Sequence, residues 1–239
     1  MRVEIIPCLQ DNYSYIIIDE KNNTACVVDP SEAAPIINFL LKENIELKYI
    51  LNTHHHFDHI GGNEDLKKKF KSIVVGFKED SKRIPGIDVL LKDGETWKAE
   101  NFLAKIIHVP GHTTGHICFH FFMDKLVFTG DTLFSLGCGR LFEGTYEEMF
   151  LSLNKIKSLP EETKIYCGHE YTQNNANFCI KHDFKNQKLK KKIELIKKQR
   201  KNGQPTIPTT IKDELDCNIF LRAKDLKTFS KLRDLKDNF

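Results

Sequence analysis

Residues 53–59 read T-H-H-H-F-D-H, which places four metal-binding side chains, His54, His56, Asp58 and His59, within six positions. An apolar run, Y-I-L at 49–51, leads into them, and Gly61-Gly62 follow. The run reads as a buried strand, so the cluster sits on the loop at its C-terminal end. Polar and ionisable groups packed this densely behind a strand are costly to desolvate unless a metal ion takes them up. Alternate residues of an extended segment point the same way, which puts His54 and His56 on one side. Asp58 and His59 lie one turn further on and can serve a neighbouring point. A fold for this chain must therefore bring further ligands to that strand end.

Three segments repeat one arrangement: buried strand, then glycine, then ligand. His112 follows 105–109 and Pro110-Gly111, Asp131 follows 126–129 and Gly130, and His169 follows 164–167 and Gly168. Glycine lets the backbone turn sharply and approach closely. One ion could take His54, His56 and His112, and a second Asp58, His59 and His169, with the two oxygens of Asp131 bridging them. Imidazole and carboxylate donors suit zinc, iron or manganese, and no thiolate in the set demands zinc. His55, His108, His116, His120 and His182 read instead as packed side chains. His116 has a second reading, as a group that orients a ligand.

The remainder of the chain supplies the frame. Strand-like runs at 15–18, 25–28, 49–51, 73–75, 105–109, 117–122, 126–129 and 163–167 alternate with helical patterns at 32–43, 63–70 and 146–157. The last seventy residues look helical. Leu189, Ile193 and Ile196 recur at helical spacing in a Lys-rich segment that ends at Gly203 and Pro205. Thr210 with Asp213 or Glu214 caps a short helix, and Leu226, Phe229 and Leu232 mark another. The expectation is an α/β domain over 1–170 and a small helical domain over 171–239.

Charge and cysteine usage narrow the class. Residues 1–170 carry a net charge of −6 and residues 171–239 a net of +9. The basic part could attract an anionic substrate, a membrane surface or nucleic acid, or be a solvated Lys-rich face. It lacks the interleaved aromatics of a strand-binding groove, which argues against a nuclease. Seven scattered cysteines with no C-x-x-C pair exclude a disulfide framework and a thiolate zinc site. No apolar run approaches the roughly 20 residues of a membrane span, and residues 1–11 show no secretory signal. The chain is expected to be cytoplasmic and monomeric, with no nucleic-acid or membrane partner.

The metal motifs, with G-H-T at 111–113, T-G-D-T at 129–132 and G-H-E at 168–170, resemble the metallo-β-lactamase superfamily. That resemblance implies a four-layer αββα sandwich with a two-metal site at one edge of its sheets. It leaves the substrate open, since one fold hosts many activities. Four further segments resemble the glyoxalase II, or hydroxyacylglutathione hydrolase, family. They are L-G-C-G-R-L-F-E-G at 136–144, G-H-E-Y-T at 168–172, P-T-T and N-I-F-L-R within 208–223, and R-D-L-K-D-N-F at 233–239. The family often has Lys where Arg140 stands and Tyr where Phe142 stands.

The resemblance implies hydrolysis of S-D-lactoylglutathione and related S-(2-hydroxyacyl)glutathiones to a 2-hydroxy acid and glutathione, the second step of methylglyoxal removal. Glutathione thioesters are anionic, so Arg140, Arg233 and Lys236 are expected to meet the carboxylate end, with Tyr171 and Phe142 beside them. Two divalent ions per chain, zinc first and iron or manganese as alternatives, would lower the pKa of a shared water from about 15.7 to about 7. The resulting metal-bridging hydroxide attacks the thioester carbonyl, with Asp58 as ligand and orienter of the water. The thiolate, whose parent pKa is about 8.5, leaves without strong protonation. The rival reading is a glutathione persulfide dioxygenase with a single iron. The second donor trio and the long C-terminal domain favour the hydrolase.

Overall fold

Segments rich in Ile and Val suit a pleated, buried surface and build the first sheet. The computed structural model describes residues 1–239, and packing divides them into two units. One comprises residues 1–108 and 115–124, the other residues 109–114 and 125–239.

In the first unit, β1 (Arg2–Cys8), β2 (Asn12–Asp19) and β3 (Thr24–Val28) pair antiparallel. Parallel pairing then joins β3 to β4 (Glu46–Leu51), β5 (Ile73–Phe77) and β6 (Val89–Leu91). The crossovers include α1 (Ala33–Glu43), the one-turn α2 (Phe57–Ile60) and α3 (Asn63–Phe70). Ile36 and Leu40, four apart on α1, are fully buried with Leu66 of α3 against Ile16, Ile18, Val27, Ile50 and Val74 of the sheet. Asn44 ends α1 in the left-handed region at φ 53° and returns its N–H to Leu40 O. The antiparallel strands β7 (Thr96–Ala99), β8 (Phe102–His108) and β9 (Ile117–Phe121) form a further layer of this unit. Trp97 and Phe102 meet Tyr49 of β4 edge-on at 5.3 and 6.1 Å between ring centroids.

The parallel register explains what emerges beside what. Val28 of β3 pairs with Leu51 of β4, so Asp29 and Thr53 leave the sheet at one level. Carboxyl ends of parallel strands are where α/β sheets present ligand-binding loops.

The second unit follows the same rule. β10 (Leu126–Gly130) runs parallel to β13 (Lys164–Cys167), and Gly130 pairs with Cys167. Between them lie the two-residue ribbon strands β11 (Leu133–Phe134) and β12 (Gly137–Cys138), then α4 (Tyr146–Lys157). Thr145 and Glu148 close a reciprocal capping box at the start of α4. The chain continues through α5 (Thr172–His182), α6 (Gln187–Lys201), β14 (Thr209–Thr210), α7 (Ile211–Cys217) and α8 (Leu226–Asp237). Leu189, Ile193 and Ile196 are the buried residues of α6, as their spacing predicts. Thr210 caps α7 by accepting from Asp213 N. Lys190, Lys191, Lys198 and Lys201 stand exposed on α6, so much of the basic charge of this segment is solvated.

Several elements depart from the sequence expectation. β1 contains Pro7 and is an edge strand, the place where a missing N–H does not break a ladder. β6 and β7 are also edge strands, of three and four residues. α5 is rich in Asn and a poor helix former by propensity, and it forms by burying Ala176, Phe178 and Cys179. Residues 57–60, expected as irregular loop, make the single turn α2. All seven cysteines are free and buried. No helix is long and apolar enough to cross a membrane.

Candidate metal centre

In the first unit the donors radiate from one buried carboxylate. Asp29, 2% exposed at the end of β3, accepts from Thr53 N at 2.8 Å, Thr53 Oγ1 at 2.6 Å and His59 Nδ1 at 3.0 Å. An ionised carboxylate only accepts, so the single Thr53 hydroxyl proton goes to Asp29. Thr53 Oγ1 then accepts from His54 Nδ1–H, 3.0 Å away. Both rings are thereby held with Nδ1 protonated and Nε2 as the lone-pair atom, the arrangement that metal-ligating histidines require. His59 Nε2 lies 3.5 Å from Asp58 Oδ2, and Asn12 Nδ2 fixes that carboxylate at 2.9 Å. His56 precedes α2, half-buried, its ring centroid 4.7 Å from that of His54. His116 stacks on His54 at 4.6 Å and 20°.

In the second unit one carboxylate faces two imidazoles. Asp131 Oδ2 lies 3.5 Å from His112 Nε2 and 3.3 Å from His169 Nε2. The carbonyl of Arg140 accepts from His112 Nδ1 at 2.9 Å, so Nε2 is again the lone-pair atom. The ring of His169 stacks on Tyr171 at 4.6 Å and 5°. Gly130 turns out of β10 at φ 46°, and Gly168 N bonds its carbonyl at 2.9 Å, so Asp131 and His169 leave their strands side by side.

These spacings fit shared ions. Ligand bonds of about 2.0–2.1 Å at tetrahedral angles separate two donors by roughly 3.3–3.4 Å. The three Nε2···Oδ2 separations, 3.3 to 3.5 Å, match that value. Neutral imidazoles and carboxylates are also the donors that zinc, iron and manganese accept.

The expected substrate residues divide into two groups. Arg140 and Phe142 are 62% and 64% exposed, and the Phe142 ring stands edge-on to His112 at 5.1 Å. Tyr171 is 37% exposed. Lys236 is half-buried, its ammonium over the rings of Phe178 and Phe239 at 5.4 and 4.9 Å and bonded to Asn174. Burial, then the neighbouring Arg233 charge, lowers its pKa to about 8. Arg233 departs from the expectation of a substrate contact. It is 3% exposed, donates to the carbonyls of Cys138 and Gly139 at 2.7 and 3.4 Å, and bonds Asp237 at 2.9 Å. Its guanidinium is spent on the protein because Phe220 and the 138–139 backbone enclose it.

Asp29, Thr53 and Asn12 were not singled out from the sequence. For Asp29 a signal existed: V-V-D at 27–29 is an apolar strand ending in a carboxylate, as at the other donors. His55, His108 and His120 pack as expected, against Asp80, Phe77 and Phe122 respectively, whereas His182, at the end of α5, is exposed and meets the protein through the Phe178 ring.

Comparison with known proteins gives a concordant result. The metallo-β-lactamase superfamily model matches residues 9–169, and the model for the hydroxyacylglutathione hydrolase C-terminus matches residues 170–239. The chain is 63% identical to the hydroxyacylglutathione hydrolase of Pelagibacter ubique (strain HTCC1062) over 239 residues, the full length of both. It is 42% identical to that of Methylococcus capsulatus (strain ATCC 33009 / NCIMB 11132 / Bath), covering 98% of this chain and 97% of the other. Among solved structures, the BLEG-1 B3 metallo-β-lactamase matches with a TM-score of 0.71 at 25% identity, over 92% of this chain and 99% of that one. ETHE1 from Myxococcus xanthus matches with a TM-score of 0.75 at 23% identity, over 98% and 90%, and so shares the fold.

Proposed function

The chain belongs to the hydroxyacylglutathione hydrolases of the metallo-β-lactamase superfamily, and on that premise we propose that it hydrolyses S-D-lactoylglutathione to D-lactate and glutathione. The observation that carries this reading is the match of residues 170–239 to the hydrolase-specific C-terminus. The fold and the metal donors alone are common to the whole superfamily.

In this reading His54, His56 and His112 hold a first divalent ion, Asp58, His59 and His169 a second, and Asp131 both. Zinc suits the set best, with iron or manganese as alternatives. When bound, two such ions make water ionise near neutral pH and polarise the thioester carbonyl. The chain's own groups prepare that chemistry. Asp29 and Thr53 fix the tautomers of His59 and His54, and the Arg140 carbonyl fixes that of His112. Asn12 holds the Asp58 carboxylate in place, ready to orient the attacking water. The leaving thiolate needs no strong acid, since thiols ionise at a pKa of about 8.5.

Arg140, Tyr171 and Lys236 take the anionic and peptide parts of glutathione, with the Phe142 ring beside His112 as an apolar wall. Residues 1–170 thus supply all seven donors, and residues 171–239 part of the substrate contacts. Seven reduced, buried cysteines suit a reducing compartment, the cytosol.

Replacing Lys236 by Gln removes a charge-assisted contact, so KM for the thioester should rise about 10-fold or more, with kcat within about twofold. The pH profile gives a second check. Above a pKa of about 8 the free enzyme loses the Lys236 charge, so the wild-type KM should climb from pH 7 to pH 9 toward that of the variant. The variant's KM should stay flat across the same range. A free lysine titrates at about 10.4, so between about 8 and 10.4 the unfolded chain alone keeps the proton. Lys236 therefore costs stability below that window, and the cost is relieved as pH rises through it.

Loss of thioester absorbance on adding S-D-lactoylglutathione, with metal counted on the same sample, tests the function. Turnover with about two ions per chain, abolished by a chelator, is the expected result. No turnover, with one iron per chain and oxygen uptake on glutathione persulfide, would replace the hydrolase by the dioxygenase.

A further inference from the structure

Residues 133–139 are buried throughout, although a two-residue ribbon offers its backbone polar groups few partners of its own. Side chains from the C-terminal helices take these groups up in turn. Asn175 of α5 donates to Ser135 O at 3.1 Å, and Cys179 Sγ to Leu136 O at 3.1 Å. Asn218, just beyond α7, donates to Gly137 O at 3.1 Å, and Arg233 of α8 to Cys138 O at 2.7 Å.

The amide of Leu136 is taken up by Glu214 Oε2 at 2.7 Å. Leu136 sits at φ 59°, a region that side chains with a Cβ seldom occupy without external support. Glu214 is itself fully buried. Its carboxylate also accepts from Asn218 at 3.0 Å, Thr209 Oγ1 at 2.6 Å, Lys192 at 3.3 Å and Ser135 Oγ at 3.4 Å. A buried charge held by so many donors has little freedom to move, because leaving any of them unmatched is costly.

The far end of the ribbon abuts the donors. Gly139 N bonds Thr132 O at 3.2 Å, and a Cβ at Gly139 would fall 1.9 Å from Asp131 O. The next residue, Arg140, provides the carbonyl that holds His112 Nδ1. The ribbon therefore sets where the Asp131 carboxylate and the His112 ring stand.

We infer that Glu214, with Asn175, Asn218 and Arg233, is a positioning device for the metal donors Asp131 and His112, acting through the ribbon at 133–140. The helical segment thus does more than contact the glutathione part of the substrate: it tunes how tightly the ions are held. This deepens, and rests on, the two-metal reading above.

Metal release to a chelator from the loaded enzyme is the test. Glu214→Gln keeps size but turns an amide N–H toward other donors, and should release metal about 10-fold faster or more, as loss of a ligand's supporting shell does. Asn175→Ala, which removes one ribbon contact, should shift the rate in the same direction by less. Ile196→Ala, on the buried face of α6 and with no polar group to offer the ribbon, is the control. It should lower the melting temperature and leave the release rate at the wild-type value.

Release from Glu214→Gln no faster than from Ile196→Ala, at a similar fall in melting temperature, overturns the inference. Should Glu214→Gln not fold, Asn175→Ala decides by the same comparison. A wild-type protein that holds no divalent ion overturns the two-metal reading instead, and that failure is visible before any variant is made.

Discussion

Replacing Asp131 by Ala should abolish turnover, lowering kcat/KM by about 10³-fold or more, equivalent to about 4 kcal/mol of transition-state stabilisation. The expectation follows from the position of one carboxylate oxygen 3.3 and 3.5 Å from two imidazole nitrogens, the spacing of donors on a common ion. Removing it takes away the group shared between the two proposed sites and the negative charge facing His112 and His169. Metal analysis of the purified variant should show fewer than two ions per chain, and added metal should not restore the rate. The substitution leaves the hydrogen bond from His112 Nδ1 to Arg140 O in place, so the far-ultraviolet spectrum should match the wild type. A variant that retains two ions and its full rate sinks the bridging role.

The second large effect is expected at Asp29, a residue that touches neither ion nor substrate in this scheme. Asp29→Ala would strip the acceptor from the Thr53 amide, the Thr53 hydroxyl and His59 Nδ1 together. All of these groups are buried, and breaking a buried charged network costs about 3–5 kcal/mol. For a chain of this size that is a fall in melting temperature on the order of 10 °C. The chemical consequence is separate from the fold. Freed from Asp29, the Thr53 proton can turn toward His54, and the tautomers that present both Nε2 lone pairs are no longer enforced. Metal affinity should fall by about 10–100-fold. Isothermal titration of the stripped protein with zinc, alongside a thermal melt, separates the two effects. Unchanged zinc affinity would reduce Asp29 to a purely structural residue.

Much of this molecule could be read from the chain because the decisive signals are local. The run from β4 into His54, His56, Asp58 and His59 is contiguous. The strand–glycine–ligand pattern at His112, Asp131 and His169 repeats within each segment. Helices α1, α3, α4 and α6 announce themselves by the spacing of Ile36 and Leu40, or of Leu189, Ile193 and Ile196, because a buried stripe at 3.6 residues per turn needs no knowledge of its partner. The edge strands β1, β6 and β7 and the Asn-rich α5 were illegible for the opposite reason. Their stability comes from neighbours they pair with or pack on, and neither short length nor poor propensity signals that in advance.

Arg233 shows the limit most clearly. In sequence it is one of three cations in a basic tail, and its charge invites a carboxylate. In three dimensions it is enclosed and bonded to two carbonyls and Asp237. Lys236, three residues on, stays half-buried with its charge over two rings. Sequence determines which residues carry charge, while packing decides where that charge is spent.

The amino-acid order by itself therefore determined the kind of donors, their strand-end placement and the family to which the chain belongs. Only the tertiary structure decided which nitrogen of each histidine faces outward, because a tautomer is set by a hydrogen-bond partner distant in the chain. Asp29 lies 30 residues from His59, and Arg140 lies 28 from His112. Glu214, 78 residues from the amide of Leu136, holds the ribbon beside Asp131 in the same way. Such contacts depend on how separate strands and helices come to rest against each other, and no local pattern encodes them.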